Sequence, residues 1–240
     1  MNRKKYLYEC FHSIGINLTE VQQDQFITFY DMLIEKNKVM NLTAITEFED
    51  VVVKHFMDSV MIPEEWLREE NISLIDVGTG AGFPGIPLKI VYPNLEIVLL
   101  DSLNKRINFL EEVIEELELT NIKTIHARAE DGGKRLELRE KFDISVSRAV
   151  ANLATLAEYC VPFLKIGGRF ISYKSADIDK EVKAASKAFP ILGGELEMCH
   201  LFEIPNTDIS RSFVSIKKVK STPKKYPRKA GLPGKEPLSK

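Results

Sequence analysis

The sequence predicts an α/β protein: a Rossmann-like, mostly parallel seven-stranded sheet with an antiparallel edge strand, preceded by a small helical region. Three observations carry this. Between Leu74 and Gly85 an apolar strand runs into a glycine-rich turn and then into an apolar helix. From Ser73 onward strands and amphipathic segments alternate, the pattern of βαβ units that build a parallel sheet with helices on both faces. Two late strands, about 195–204 and 211–219, have no helix between them and should pair antiparallel.

Taken in order, residues 1–70 read as helical. Val21, Phe26, Phe29, Tyr30, Leu33 and Ile34 recur at helical spacing. Thr46-x-x-Glu49 has the form of a capping box opening a second helix that runs to about Val60, and Pro63 with the polar run 68–71 closes the segment. The first strand spans about 73–77, and the helix after the glycine turn ends near Val91, before Pro93. Strand two, Glu96–Leu100, ends at Asp101. The helix after it carries Ile107, Leu110, Val113, Ile114 and Leu117 on one face and glutamates on the other. Strand three covers about 122–126 and strand four Phe142–Val146; a helix follows over roughly Leu153–Phe163. Gly167-Gly168 turns the chain into strand five, Arg169–Tyr173, and a helix near 177–188 leads to the late pair. The chain divides into a helical N-terminal region (1–70), a sheet domain (71–220) and a C-terminal tail (221–240), with no internal repeat.

At 240 residues the chain can bury a core without disulfides or a structural metal. Its 44% hydrophobic and 28% charged residues are ordinary for a globular protein. No apolar run approaches the roughly 18 residues of a membrane span. The basic start is broken by Glu9 and His12, so no signal-peptide core follows. Cys10, Cys160 and Cys199 are scattered in no zinc spacing, and His12, His126 and His200 have no partner at ligand spacing. Together these predict a cytoplasmic protein with reduced cysteines, no membrane and no metal; they do not fix the oligomeric state, for which a monomer is the default expectation. The net charge of −2 hides an asymmetry: from Lys217 to Lys240 nine Lys/Arg face one acid, Glu236, leaving an acidic body. Such a tail is a candidate phosphate-binding arm, chiefly through Lys224, Lys225, Arg228 and Lys229, or else a solvated terminus.

In a parallel sheet ligands lie beyond the carboxyl ends of the strands, so the residues there are the candidates. Asp76, Gly78, Gly80, Gly82 and Phe83 follow strand one. The glycines let the turn take positive φ, and the next helix should offer free N–H groups to a nucleoside cofactor. Four glycines in eight residues exceed what a bare turn needs. Gly80-x-Gly82-x-x-Gly85, with Asp101 19 residues after Gly82, also satisfies the dinucleotide fingerprint, so an NAD-dependent oxidoreductase is one reading. Asp101 could accept both ribose hydroxyls of either cofactor, or cap the following helix. Ala129-Glu130 stands where an adenine edge would lie, although Glu130 could be a surface acid. Arg148 ends strand four and faces the open end of the cofactor site, or pairs with Asp76. His55 and Asp58, three apart on a helix, line an active-site mouth or form a surface pair of little energy; the latter is the simpler physical reading.

These strings together resemble one family, the glucose-inhibited division protein B family of small-subunit ribosomal RNA methyltransferases. The resemblance rests on Asn37–Thr43, Lys54–Ser59, Asp76–Pro87, Leu100–Arg106, Arg128–Glu130, Ser147–Ala149 and Tyr226–Gly234, in order along nearly the whole chain. It implies a class I S-adenosylmethionine-dependent methyltransferase acting at N7 of one guanine, position 527, in the 530 loop of 16S rRNA, alone or in the small ribosomal subunit. It further implies cofactor contacts at Gly78, Phe83, Ala129, Glu130 and Arg148, with Asp101 on the ribose, and raises His55, Asp58 and the tail as substrate-side elements. N7 carries no proton, so such a reaction needs no general base; Arg148, His55 and Asp58 are candidates for orientation, none certain as a catalyst. A non-enzymatic RNA-binding module would use the tail but leave the glycine turn unexplained.

Overall fold

The computed structural model describes residues 2–67, 71–148 and 151–238. Ala149 and the start of the polar run at 68–70 lie outside them. Seven strands, β1 (Ser73–Val77), β2 (Glu96–Asp101), β3 (Ile122–His126), β4 (Phe142–Arg148), β5 (Leu164–Ser175), β6 (Gly194–Glu203) and β7 (Ser210–Lys218), form one sheet in the order β3-β2-β1-β4-β5-β7-β6. The first five are parallel. β7 runs antiparallel between β5 and β6, so the antiparallel strand sits one place inside the edge. Gly167-Gly168 lies within β5 rather than before it: the register against β4 shifts there, and Gly167 has φ +92°. A glycine pair can thus absorb a bulge as readily as a turn.

Alternate strand residues feed two cores. On one face Leu74, Ile97, Leu99, Ile144, Val146 and Ile171 pack against α1 (Arg3–Ser13), α2 (Glu20–Met40), the helical stretch from α3 (Phe48–Val51) through π-helical Val52–Met57 to α4 (Asp58–Val60), α5 (Gly85–Val91) and α6 (Asn104–Glu116). The N-terminal helices therefore share the sheet's core. Thr19 caps α2 in a capping box with Gln22. The box expected at Thr46 is absent: the helix starts at Phe48 without a side-chain cap, and the Thr46 carbonyl accepts the Tyr30 hydroxyl instead. On the other face Ile75, Val98, Leu100, Phe170 and Val214 pack against α8 (Leu153–Cys160) and α10 (Ala188–Leu192). Between these come α7 (Ala129–Gly132) and α9 (Asp179–Ala185); α11 (Leu232–Lys235) is the last.

The segment after β7 is bound to this second face. Tyr226 and Pro233 are buried. Arg139 donates to the carbonyls of Thr222 and Tyr226, and the Thr155 hydroxyl donates to the carbonyl of Pro233. Lys218 is buried; it donates to the Val161 carbonyl and the Thr222 hydroxyl and pairs with Glu140 at 3.2 Å. Burial lowers its ammonium pKa to about 8 against the pull of Glu140. Arg228 grips the wholly buried Glu158 through Nε and Nη2, at 2.7 Å for the closest pair. Arg228, expected as a phosphate contact, thus commits Nε and Nη2 to Glu158 and to the Glu236 carbonyl and serves the fold, with Nη1 left outside these bonds. Arg228→Met should lower unfolding stability by about 3–5 kcal/mol, since Glu158 is left charged and buried; adding Glu158→Leu should recover much of the loss, both read by urea denaturation.

Candidate active site

The carboxyl ends of β1, β2, β3 and β4, with the turns that follow them, enclose a cleft of about 590 Å³, a common size for a cofactor site. Gly78, Gly80, Phe83, Asp101, Ala129, Glu130 and Arg148 line it; Asp76 and Gly82 do not.

The glycine turn is held mainly from within. Gly78, Gly80 and Gly82 have φ of +73°, +62° and +98°, all in the left-handed region. A Cβ on Gly80 would meet nothing nearer than 4.0 Å, so this glycine leaves open space on the cleft side. Gly82 differs: a Cβ there would lie 2.7 Å from Ile86 and 3.0 Å from Leu110, so its role is helix packing rather than cofactor contact. Nor do the amides form the expected free cradle. Gly78 and Thr79 donate to the Leu100 carbonyl, Gly80 to Asp101, and Gly85 to Asp76. Asp76 is fully buried beneath the turn. Its Oδ2 accepts from Thr79 Oγ1 (2.7 Å) and Gly85 N (2.9 Å), while Oδ1 has no partner among the described residues. Burial raises its pKa to about 7, opposed by those two hydrogen bonds and by the positive charge of Arg148. Asp76 therefore supports the turn and does not face the cleft.

Asp101, 2% exposed, accepts from Gly80 N and Arg106 Nη1 on Oδ2 and from Leu103 N on Oδ1. It does not cap α6, whose cap residue is Leu103. Glu130 is buried, not a surface acid, and its Oε1 accepts the Gly231 amide at 2.7 Å. Gly231 itself lines the cleft, so the C-terminal segment supplies part of its wall.

At the other end Arg148 turns away from Asp76 to the N-terminal helices. Nη1 meets Asp58 Oδ2 at 3.0 Å, and Nη2 meets His55 Nδ1 at 3.1 Å. Asp58, 4% exposed, also receives Arg211 Nε on Oδ1 at 3.2 Å. The surface-pair reading of His55 and Asp58 is thus overturned: the two meet at Arg148, in the interior. The His55 ring stacks on Phe83 at 4.6 Å, and its Nε2 lies 2.8 Å from Thr43 Oγ1. Burial, then the neighbouring Arg148 charge, lowers its pKa to about 3, so the imidazole is neutral. Nδ1 faces both Arg148 Nη2 and the Lys54 carbonyl, each at 3.1 Å; a proton on Nε2 serves the Arg148 and Thr43 contacts, and a proton on Nδ1 serves the Lys54 carbonyl.

A second cleft of about 560 Å³ adjoins the first and shares His55 and Arg148 with it. Lys54, Asp58, Tyr173, Lys174, Glu181 and Arg211 line it. Sequence reasoning missed Arg106, Tyr173, Lys174, Glu181 and Arg211 as site residues. The strand-end rule could have found Lys174 near the end of β5 and Arg211 at the start of antiparallel β7, which lies at the same sheet edge. Lys224, Lys225 and Lys229 are exposed on the C-terminal segment. Among the described residues no cluster of His, Cys, Asp or Glu could hold a metal, and no helix is long and apolar enough to cross a membrane.

The strand order, the glycine turn and the acid ending β2 define the fold of a class I S-adenosylmethionine-dependent methyltransferase. A Thermotoga maritima SAM-dependent O-methyltransferase superposes with a TM-score of 0.52 at 16% identity, over 80% of this chain and 72% of that one. M. jannaschii TYW2, solved with AdoMet, does so at 0.50 and 16%, over 64% and 73%. The family model for rRNA small subunit methyltransferase G matches residues 22–231. Proteins named ribosomal RNA small subunit methyltransferase G are 55% identical over 226 residues in Lachnoclostridium phytofermentans (94% of this chain, 93% of that protein). In Acetivibrio thermocellus the match is 52% over 236 residues (98% and 97%). The chain belongs to the rRNA small subunit methyltransferase G family.

His55 gives a pH test. Its folded pKa lies below the unfolded 6.5, so between about 3 and 6.5 the unfolded chain binds the extra proton and stability falls on acidification. His55→Asn should remove up to about 2 kcal/mol of the wild-type loss between pH 6.5 and pH 5, measured as the difference between their denaturation curves.

Proposed function

We propose that this chain transfers the methyl group of S-adenosylmethionine to N7 of a guanine in the 530 loop of 16S rRNA, with the RNA or the small ribosomal subunit as its partner. The observation that carries the reading is the pair of clefts meeting at His55 and Arg148. Direct transfer requires the two bound molecules to meet, and these clefts adjoin, with His55 and Arg148 on their common border.

The residues of the first cleft fit the cofactor. Gly80 leaves space where any side chain would stand. Asp101 keeps lone-pair capacity for ribose hydroxyls beyond its three hydrogen bonds. Ala129 and Glu130 would border the adenine, and Phe83 and Arg148 the methionine end. When bound, S-adenosylmethionine supplies an electrophilic methyl on a sulfonium. The guanine N7 lone pair carries no proton, so the protein has no base to provide. What the chain contributes is alignment and a site shielded from water. Neutral His55, stacked on Phe83, and Arg148, fixed by Asp58, form a wall whose groups cannot drift. N7 faces a deep, narrow groove in paired RNA, so the target must be splayed or in a loop.

The NAD reading loses support at the start of α5. A dinucleotide pyrophosphate needs free amides there, but Gly85 N is held by the Asp76 carboxyl group and Gly80 N by Asp101. An RNA-binding module without catalysis would have no use for the first cleft.

Tritiated methyl transfer to small subunits lacking the modification, mapped by borohydride and aniline cleavage, should give one cut in the 530 loop. No transfer to subunits, naked RNA or assembly intermediates would overturn the reading. Replacing Lys224, Lys225 and Lys229 by alanine should weaken RNA binding and reduce the salt slope by up to about 3, leaving S-adenosylmethionine affinity unchanged. Deleting residues 222–238 should instead impair the fold and cofactor affinity together, because Arg228 and Gly231 go with them.

A further inference from the structure

We infer that Glu181 reads the Watson–Crick edge of the base in the second cleft and so selects guanine. This rests on the N7-methylation reading above and names what its second cleft recognises. N7 and O6 are the acceptors of guanine's major-groove edge, while N1–H and N2–H₂, both donors, lie on the far side of the ring. If N7 points to the wall shared with the first cleft, N1 and N2 face the part of the second cleft that is not shared. Recognition there calls for an acceptor.

Among the described residues Ser175 and Glu181 keep free side-chain acceptors in this cleft, and only Glu181 offers a charged one that can take N1–H and N2–H₂ together. Both oxygens of Asp58 are held by arginines. The Tyr173 hydroxyl donates to the Ser59 carbonyl. Glu181 Oε1 accepts from Leu153 N at 2.6 Å and Lys174 Nζ at 2.7 Å, whereas Oε2 has no hydrogen bond among the described residues. Lys174 also donates to the Ala151 carbonyl at 2.9 Å, so the carboxylate is anchored through one oxygen to α8 and β5 with the other left over. A carboxylate so placed accepts from N1–H and N2–H₂ of guanine. Adenine presents an acceptor at N1 and a C–H at C2, so it would leave that carboxylate unpaired, which is the stronger form of discrimination. Methylation at N7 puts positive charge on the ring and makes N1–H a better donor, so the contact strengthens on the way to the transition state and acts on kcat.

The test compares wild type with Glu181→Gln on small subunits reconstituted with guanine or inosine at the target; inosine lacks only the N2 amine. Wild type should prefer guanine by about tenfold in kcat/KM. In Glu181→Gln the ratio should approach one, with guanine turnover falling about 10- to 100-fold and S-adenosylmethionine affinity unchanged. A purely structural role through the Leu153 amide would lower both substrates equally and leave the ratio intact, which would overturn the inference. If Glu181→Gln is inactive on both, Glu181→Asp decides: a retained preference for guanine supports the role and a ratio of one defeats it. Absence of wild-type transfer to the guanine substrate would instead sink the N7 reading itself.

Discussion

The buried carboxylate of Asp58 is the constraint from which the rest of the site follows. It comes from the N-terminal helices and takes one arginine from the end of β4 and another from the start of β7. Two cations about one anion leave a net positive charge in an interior that tolerates charge only when it is paired and hydrogen-bonded. Arg148 completes its bonds with the Lys54 carbonyl and His55, and Arg211 with the Ser210 carbonyl. Through this one group the helical layer is registered on the sheet edge, and the wall between the two clefts has a fixed position.

Phe83 is the apolar counterpart. Its ring lies 5.3 Å from Phe29 and 6.1 Å from Phe56 in the N-terminal aromatic cluster, while the guanidinium of Arg148 sits 5.0 Å over its face. The glycine turn thereby reports to the helices that cover it. Burial and the facing charge of Arg148 keep His55 uncharged: an imidazolium here would be desolvated and would face a second cation.

Much of the architecture was legible because parallel strands are local patterns that place their informative residues at one end. Gly78, Gly80, Phe83, Asp101, Ala129, Glu130 and Arg148 all stand at or soon after the carboxyl ends of strands, and all seven line one cleft. What was not legible depends on pairings remote in sequence. Nothing near Asp58 announces Arg211, and nothing near Arg228 announces Glu158. Gly82 satisfied the fingerprint by spelling, yet its missing side chain makes room for Ile86 and Leu110. Similarly, Thr46 and Glu49 spelled a capping box, yet the helix starts one residue later, with Glu47 at the cap position and no side-chain cap.

The first cleft has Leu42 at one limit and Gly231 at the other, so its wall is drawn from most of the span of the described chain. Such a site is not portable. No short fragment of this chain carries it, and the glycine turn transplanted to another protein would bring the letters of a binding motif without its other walls. Heredity can therefore tinker with the surface of this molecule piece by piece, but it can move the site only by moving the whole.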